Sequence, residues 1–158
     1  MLPRWHILWG AVFVALVKIL IPNTPNYSLA LIFFSTVFID FDHYLASISK
    51  TNSLSLKKSL QYYREHIKFE KKQQEKGIKE KGHFFLFHTL EFHFVIAVIG
   101  LYFKPFVFIL IGMILHSILD LISMANRRLI YRREFLLTKW IMEQTSKKTS
   151  KAFRKKQE

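Results

Sequence analysis

The sequence contains no cysteine. That excludes a disulfide framework and a thiolate metal site, so any metal must be held by nitrogen and oxygen ligands. It shows no internal repeat. It also lacks the small-residue cleavage site of a signal peptide. Arg4 precedes an apolar run, as in an export signal, but the run ends at Ile21-Pro22-Asn23, which predicts a retained first span. Acidic residues are few, at 11 against 24 lysines and arginines, for a net charge of +13. So basic a chain could attract nucleic acid, yet no aromatic or motif pattern for reading one is present, and no specific nucleic-acid partner is expected.

Against these absences stands a strongly apolar composition, 51% of the chain, with 16 phenylalanines. Apolar and basic extremes together fit apolar spans joined by basic loops better than a soluble domain. The 158 residues suffice for one compact unit. Four apolar stretches stand out: Trp5 to Ile21, Tyr27 to Ile48, Phe84 to Phe103 and Phe106 to Met124. Each approaches the roughly 20 residues a helix needs to cross hydrocarbon. Uncharged or nearly uncharged turns, Pro22 to Asn26 and Lys104-Pro105, join the first to the second and the third to the fourth. The segment from Ser49 to Gly82 and the tail from Asn126 to Glu158 carry almost all the remaining basic residues. The positive-inside rule then puts both termini and the middle segment in the cytoplasm. The expected architecture is all-α: an integral membrane four-helix bundle in the cytoplasmic membrane, with a cytoplasmic amphipathic segment and a basic C-terminal tail. The membrane domain is expected over 1–125, including the cytoplasmic segment 49–82, and the tail over 126–158. In the middle segment Leu56, Leu60, Tyr63 and Ile67 predict an apolar helical stripe, and Glu75 and Lys79 an i, i+4 pair. Membrane lipids, with anionic headgroups held by the basic segments, are the expected partners.

Outside the middle segment and tail the chain has four acids, Asp40, Asp42, Glu91 and Asp120, and six of its seven histidines, His6, His43, His83, His88, His93 and His116. They fall in four clusters, one per span. The orientation deduced from lysine and arginine alone brings every cluster to the cytoplasmic face. Helical spacing puts Asp40 with His43, His88 with Glu91, and His116 with Asp120 on shared faces. Carboxylate and imidazole pairs on facing helices are how bundles build metal sites. An ionisable group inside a membrane is unfavourable by about 2.5–3.5 kcal/mol at the centre, and a cation or a wet cavity offsets that cost. The expected ligands are His6, Asp40, Asp42, His43, His83, His88, Glu91, His116 and Asp120, with His93 behind them. The tryptophans Trp5, Trp9 and Trp140 read as interfacial anchors.

Taken in order, His6, Asp40-Phe41-Asp42-His43, His83-Phe84-Phe85-Leu86-Phe87-His88-Thr89 and His116-Ser117-Ile118-Leu119-Asp120 resemble the motifs of the YdjM-like membrane-bound metal-dependent hydrolases. The resemblance runs from about Arg4 to Leu121 and rests on all four motifs together, since each alone is weak. Two departures are visible. The family usually has Arg-Gly where this chain has Phe84-Phe85, so any anion-binding role of that arginine is vacant here or falls to a basic residue of the cytoplasmic segments. It also tends to have a glycine shortly after the last aspartate, where Asn126 is the nearest turn residue here. The resemblance implies a metal-dependent hydrolase. A more distant similarity is to zinc-dependent phospholipase C enzymes, which also use a His-x3-Asp pair.

Nine candidate ligands exceed what one ion needs, which predicts two divalent metals. Zinc suits mixed histidine and carboxylate ligands, as do manganese and iron. The expected function is hydrolysis of a phosphoester or lipid-linked substrate at the cytoplasmic face by a metal-activated water, with Asp42 or Glu91 as base. The alternative is metal binding without catalysis, in a structural anchor, a sensor or a transporter. The outer halves of the spans, nearly free of polar residues apart from Lys18, count against transport. Carboxylates around the histidines count against haem ligation.

Overall fold

The computed structural model of the chain describes residues 3–79 and 81–154. Those residues form seven α-helices and no strand: α1 (Pro3–Leu20), α2 (Asn26–Phe38), α3 (Phe41–Thr51), α4 (Leu56–Glu75), α5 (Leu90–Tyr102), α6 (Lys104–Asn126) and α7 (Leu137–Arg154). The all-helical expectation holds. The last four residues of the expected basic tail lie outside the described residues.

The boundaries follow from local chemistry. Pro25 precedes α2, and Pro105 sits in the first turn of α6, where a missing N–H leaves no intrahelical bond unmade. At the end of α1, Lys18 Nζ donates to the Pro22 and Thr24 carbonyls at 2.8 and 3.2 Å, closing the first turn. The Thr89 hydroxyl accepts from Phe92 N–H at 3.3 Å and caps α5. This cap shortens the third apolar stretch. Its helix begins at Leu90 rather than Phe84, because Phe85 and Thr89 are extended on either side of a single 3-10 turn, Leu86–His88. The second stretch is likewise divided, at Ile39-Asp40 between α2 and α3.

Helix α6 packs on α2, α5 and, more lightly, α1, and α1 packs mainly on α2. The closest approach is at Gly112, where an added Cβ would overlap Ser35 Oγ and the Ile32 carbonyl. There Thr36 Oγ1 bridges the pair, donating to its own helix at Ile32 O (2.8 Å) and lying 3.2 Å from Gly112 O. Small residues at the contact and hydroxyls bonded to backbone are the packing style of helices in lipid.

Burial is inverted relative to a water-soluble protein. Among the described residues five apolar side chains are buried, against ten polar or charged ones. Large apolar side chains such as Ile19, Leu20, Phe38, Phe94, Leu101 and Phe103 face outward. Two helical stretches, Asn26–Thr51 and Lys104–Asn126, are long and apolar enough to cross a membrane, and only 28% and 22% of their apolar windows are buried. The core helix of a soluble protein would be mostly covered. Helix α5 is apolar but has 13 residues, about 20 Å of rise against a hydrocarbon core of roughly 30 Å.

Helix α4 forms where the stripe of Leu56, Leu60, Tyr63 and Ile67 predicts it. Its packed face is polar: Ser47 Oγ donates to the buried Ser59 Oγ at 2.6 Å, and Tyr63 OH donates to the His43 carbonyl at 2.6 Å. Leu56 and Leu60 are exposed. Gly77, at φ +72, follows the end of α4, so Glu75 and Lys79 do not share a helix.

Candidate metal centre

The N-terminal end of α1, the C-terminal ends of α2 and α6, and the 3-10 turn before α5 meet at one end of the bundle. Each delivers an imidazole or a carboxylate. His6 comes from the second turn of α1, Asp40 from the joint between α2 and α3, and His43 from the first turn of α3. His88 closes the 3-10 turn, and His116 and Asp120 lie one turn apart on α6. Three overlapping groups could hold a metal ion: His6, Asp40 and His116; Asp40, His43 and His88; and His88, His116 and Asp120.

The hydrogen bonds settle which nitrogen of two rings faces inward. His116 Nδ1 lies 2.8 Å from the Thr36 carbonyl, which can only accept, so Nδ1 carries the proton. His88 Nδ1 lies 3.0 Å from Asp42 Oδ2, which also accepts the Phe87 N–H at 3.1 Å. In the neutral rings both Nε2 atoms therefore present lone pairs, and these face one another at 3.1 Å. Asp40 Oδ1 is 3.5 Å from each of them and 3.4 Å from His43 Nε2. Asp120 Oδ2 is 3.6 Å from His116 Nε2. Lone pairs and carboxylate oxygens converge on one small volume, which is unfavourable without a cation. A carbonyl or carboxylate behind each imidazole is the support that metal-ligating histidines have.

His6 adds a second sign. Its ring is fully buried and stacks on His116 with centroids 3.9 Å apart. Its Nε2 is 3.3 Å from Asp120 Oδ1 and 4.0 Å from Asp40 Oδ2, but neither ring nitrogen makes a hydrogen bond to a described residue. A buried imidazole in that condition is unfavourable by about 1–3 kcal/mol. A metal would satisfy Nε2, and Nδ1 would keep its proton. The donor set, four imidazoles and two carboxylates, suits zinc, manganese or iron.

Three of the expected ligands sit elsewhere. Asp42 lies behind His88, with Oδ1 buried and unbonded to any described residue. Glu91 turns away from the cluster and holds the start of α7, accepting from Leu137 N–H (2.9 Å), Thr138 N–H (3.1 Å) and Thr138 Oγ1 (3.0 Å). The extended backbone at Thr89 breaks the i, i+3 relation that would have placed Glu91 beside His88. His83 stands against His66, rings 5.0 Å apart, in a group with Glu70 and Arg132. Burial first, and then His66 and Lys50, hold His83 below the usual imidazole range. Burial opposes ionisation of Glu70, but the hydrogen bond from His66 and the Arg132 guanidinium outweigh it and keep its carboxyl low. His93 donates from Nδ1 to Thr89 O at 2.8 Å, and in the neutral ring Nε2 accepts from Ser117 Oγ at 3.1 Å, fastening α5 to α6 behind the ligands.

The Phe84-Phe85 pair has a structural use. Phe84 stacks on Trp140 at 4.4 Å, and Phe85 lies against the His43 ring at 3.7 Å. The charge comes from another quarter. Arg133, whose side chain is one-tenth exposed, donates from Nη1 to Asp120 Oδ2 at 3.2 Å. It arrives because the chain after α6 folds back over the cluster, where Gly82 N–H bonds Arg132 O and Leu90 N–H bonds Phe135 O. Burial lowers the Arg133 pKa and Asp120 opposes that; the guanidinium stays charged. Nothing in the sequence singled it out from the other basic residues of the tail.

Comparison of the chain with protein-family models, curated proteins and solved structures returns no match.

Proposed function

We propose that this chain is a membrane-embedded metal-dependent hydrolase that holds two divalent ions, zinc first, at the cytoplasmic ends of its helices. In this reading α1, α2 with α3, α5 and α6 are the membrane elements, and both termini are cytoplasmic. The observation that carries it is the pair of inward-facing imidazole lone pairs, His88 Nε2 and His116 Nε2, each fixed by an acceptor behind it. The inverted burial supports the membrane setting, and the ordered motifs support the YdjM-like resemblance.

The residues divide into roles. Asp40 would be a shared ligand: its Oδ1 faces His43, His88 and His116, and its Oδ2 faces His6. His6, His116 and Asp120 would supply further ligands. Asp42 is a positioning residue that fixes the His88 tautomer. The two ions would supply Lewis acidity toward a phosphoryl oxygen and a water that ionises near neutral pH. Asp40 and His43, the most exposed members, form the open side on which a substrate would arrive.

The test is metal content by mass spectrometry on detergent-purified protein, wild type beside the double variant His116→Ala/Asp120→Ala, followed by turnover of phosphoester lipids. Two equivalents in the wild type, lost in the variant, are expected. A wild type that purifies metal-free without chelators would sink the reading. Two bound equivalents with no turnover across a broad phosphoester panel would leave a structural metal anchor.

A further inference from the structure

Helix α4 has three differently built sides. Ser59 and Tyr63 bond to α3, and Glu70 is held by Arg132. Beside this packed face run Leu56, Leu60 and Ile67, at i, i+4 and i+11; the two leucines are exposed and Ile67 is half-buried. Next round the helix come Lys57, Arg64, Lys68 and Lys71, at i, i+7, i+11 and i+14. All four are exposed, none forms a salt bridge to a described residue, and Glu75 at the helix end is the one acid on their line. The apolar edge continues an outer surface already present on the spans. Leu54 is exposed, and its carbonyl accepts from Tyr44 OH at 2.5 Å. The Tyr44 ring lies 5.8 Å from that of Phe41, which is exposed along α2 and α3 with Phe34, Phe38 and Leu45. Depth points the same way. Tyr63 fastens α4 to the His43 carbonyl beside the histidine cluster. His116 of that cluster stands twelve residues after the start of α6, about 18 Å of helical rise, within a hydrocarbon core of roughly 30 Å. In a membrane, α4 is thus held at the bilayer boundary rather than out in the cytoplasm.

We infer that α4 is an interfacial helix that grips an anionic leaflet, with Leu56 and Leu60 in the boundary between headgroups and acyl chains and Lys57, Arg64, Lys68 and Lys71 on lipid phosphates. The inference rests on the membrane setting of the proposed function and not on its chemistry. Amphipathic helices of this kind bury their apolar side about 5–10 Å into that boundary. The leucines alone would accept any lipid. The charge selects the occupant, because each basic group near an anionic surface contributes about fivefold to binding. A nucleic acid would match the charge but leave the leucines in water, and an apolar protein groove would leave four cations unpaired. Through the Tyr63 bond to His43 the gripped lipid would be gathered beside the most exposed ligands of the cluster.

The chain has no cysteine, so single spin labels can be placed on the full chain through Leu56→Cys, Leu60→Cys, Lys58→Cys, Glu65→Cys and Leu101→Cys. The labels are read in nanodiscs of phosphatidylcholine with phosphatidylglycerol, and of phosphatidylcholine alone. Collision with oxygen reports lipid, and collision with a nickel chelate reports water. In the mixed discs Leu56→Cys and Leu60→Cys should favour oxygen, and Lys58→Cys and Glu65→Cys, on the far side of the helix, should favour nickel. Adding Lys68→Gln should raise the nickel-exposed fraction at Leu60→Cys by about fivefold, whereas Lys68→Arg should leave it unchanged. Omitting phosphatidylglycerol should raise it further. Equal nickel exposure on both sides of α4 would overturn the inference, and so would an immersed edge indifferent to lipid charge. Shielding of Leu60→Cys from both reagents would overturn it in favour of a protein partner. Leu101→Cys keeps the two readings apart. Oxygen there with nickel at Leu60→Cys removes only the α4 inference; nickel at both removes the membrane setting as well. Metal content of the same samples tests the metal centre independently.

Discussion

The two ends of the helical bundle are built on opposite principles. At the turn end, where α1 meets α2 and α5 meets α6, exposed residues include Ile19, Leu20, Leu101, Tyr102 and Phe103; of the two charges there, Lys18 is absorbed by two carbonyls of its own turn and Lys104 is exposed. No buried polar cluster forms there. At the other end buried imidazoles and carboxylates converge: His6 Nε2 lies 3.3 Å from Asp120 Oδ1, and His88 and His116 approach through Nε2 at 3.1 Å. The difference shows where the fold is self-sufficient and where it is not. Helix packing alone accounts for the first end; the second gathers more acceptors than its one guanidinium, Arg133, can pair, and a further cation would offset that cost.

The contrast breaks most visibly with His116→Ala/Asp120→Ala, which should abolish metal binding altogether while Leu101→Ala leaves the metal content at the wild-type level. Gly112→Ala comes next. Its methyl would meet the Ile32 carbonyl and Ser35, and overpacking of this kind costs about 1–3 kcal/mol. Gly112 lies one turn before His116 on α6. Forcing α2 and α6 apart there should also loosen the Thr36 carbonyl from His116 Nδ1. Thermal unfolding in detergent should therefore show lower stability together with weaker metal retention. Equal destabilisation with unchanged metal affinity would mean that the two ends are not coupled through this contact.

Much of the site end was legible from residue spacing. His116 and Asp120 share a face at i, i+4 on a helix that is continuous, and Asp40 and His43 meet because α3 starts at once after Asp40. The bias of lysine and arginine put four clusters at one end, and His6, Asp40, His88 and His116 do converge there. Spacing failed where the helix was interrupted. His88 and Glu91 are i, i+3, yet Thr89 is extended between them, and Glu91 turns to α7. The same interruption leaves His83 outside, beside His66. Arg133 could not be seen because it lies in a tail where every few residues are basic; only the return of that segment over the cluster distinguishes it. On α4 the helix itself was legible from the spacing of Leu56, Leu60, Tyr63 and Ile67, whereas its contact with α3, made through Ser59 and the Tyr63 hydroxyl, was not.

A finer test separates ligands from the groups that aim them. Asp42→Asn keeps the shape of the side chain and one acceptor oxygen, and changes the charge behind His88. The amide can still accept from Phe87 N–H or His88 Nδ1–H, so the ring should keep its place but lose basicity at Nε2. Outer partners of this kind are typically worth about 10–100-fold in metal affinity. The expected result, from competition against a coloured chelator, is a fall within that range with the stoichiometry still at two.

The smallest expected effect is Tyr63→Phe. The hydroxyl donates to the His43 carbonyl at 2.6 Å and so ties α4 to the most exposed ligand rather than to the buried ones. Its loss should lower stability by about 1 kcal/mol, the net worth of one such hydrogen bond. Metal affinity should barely move, because the Phe85 ring still backs His43 and Asp40 still faces its Nε2. If affinity instead fell as far as in Asp42→Asn, then α4 would have to be counted among the elements that shape the centre, and its packing on α3 would be the next contact to vary.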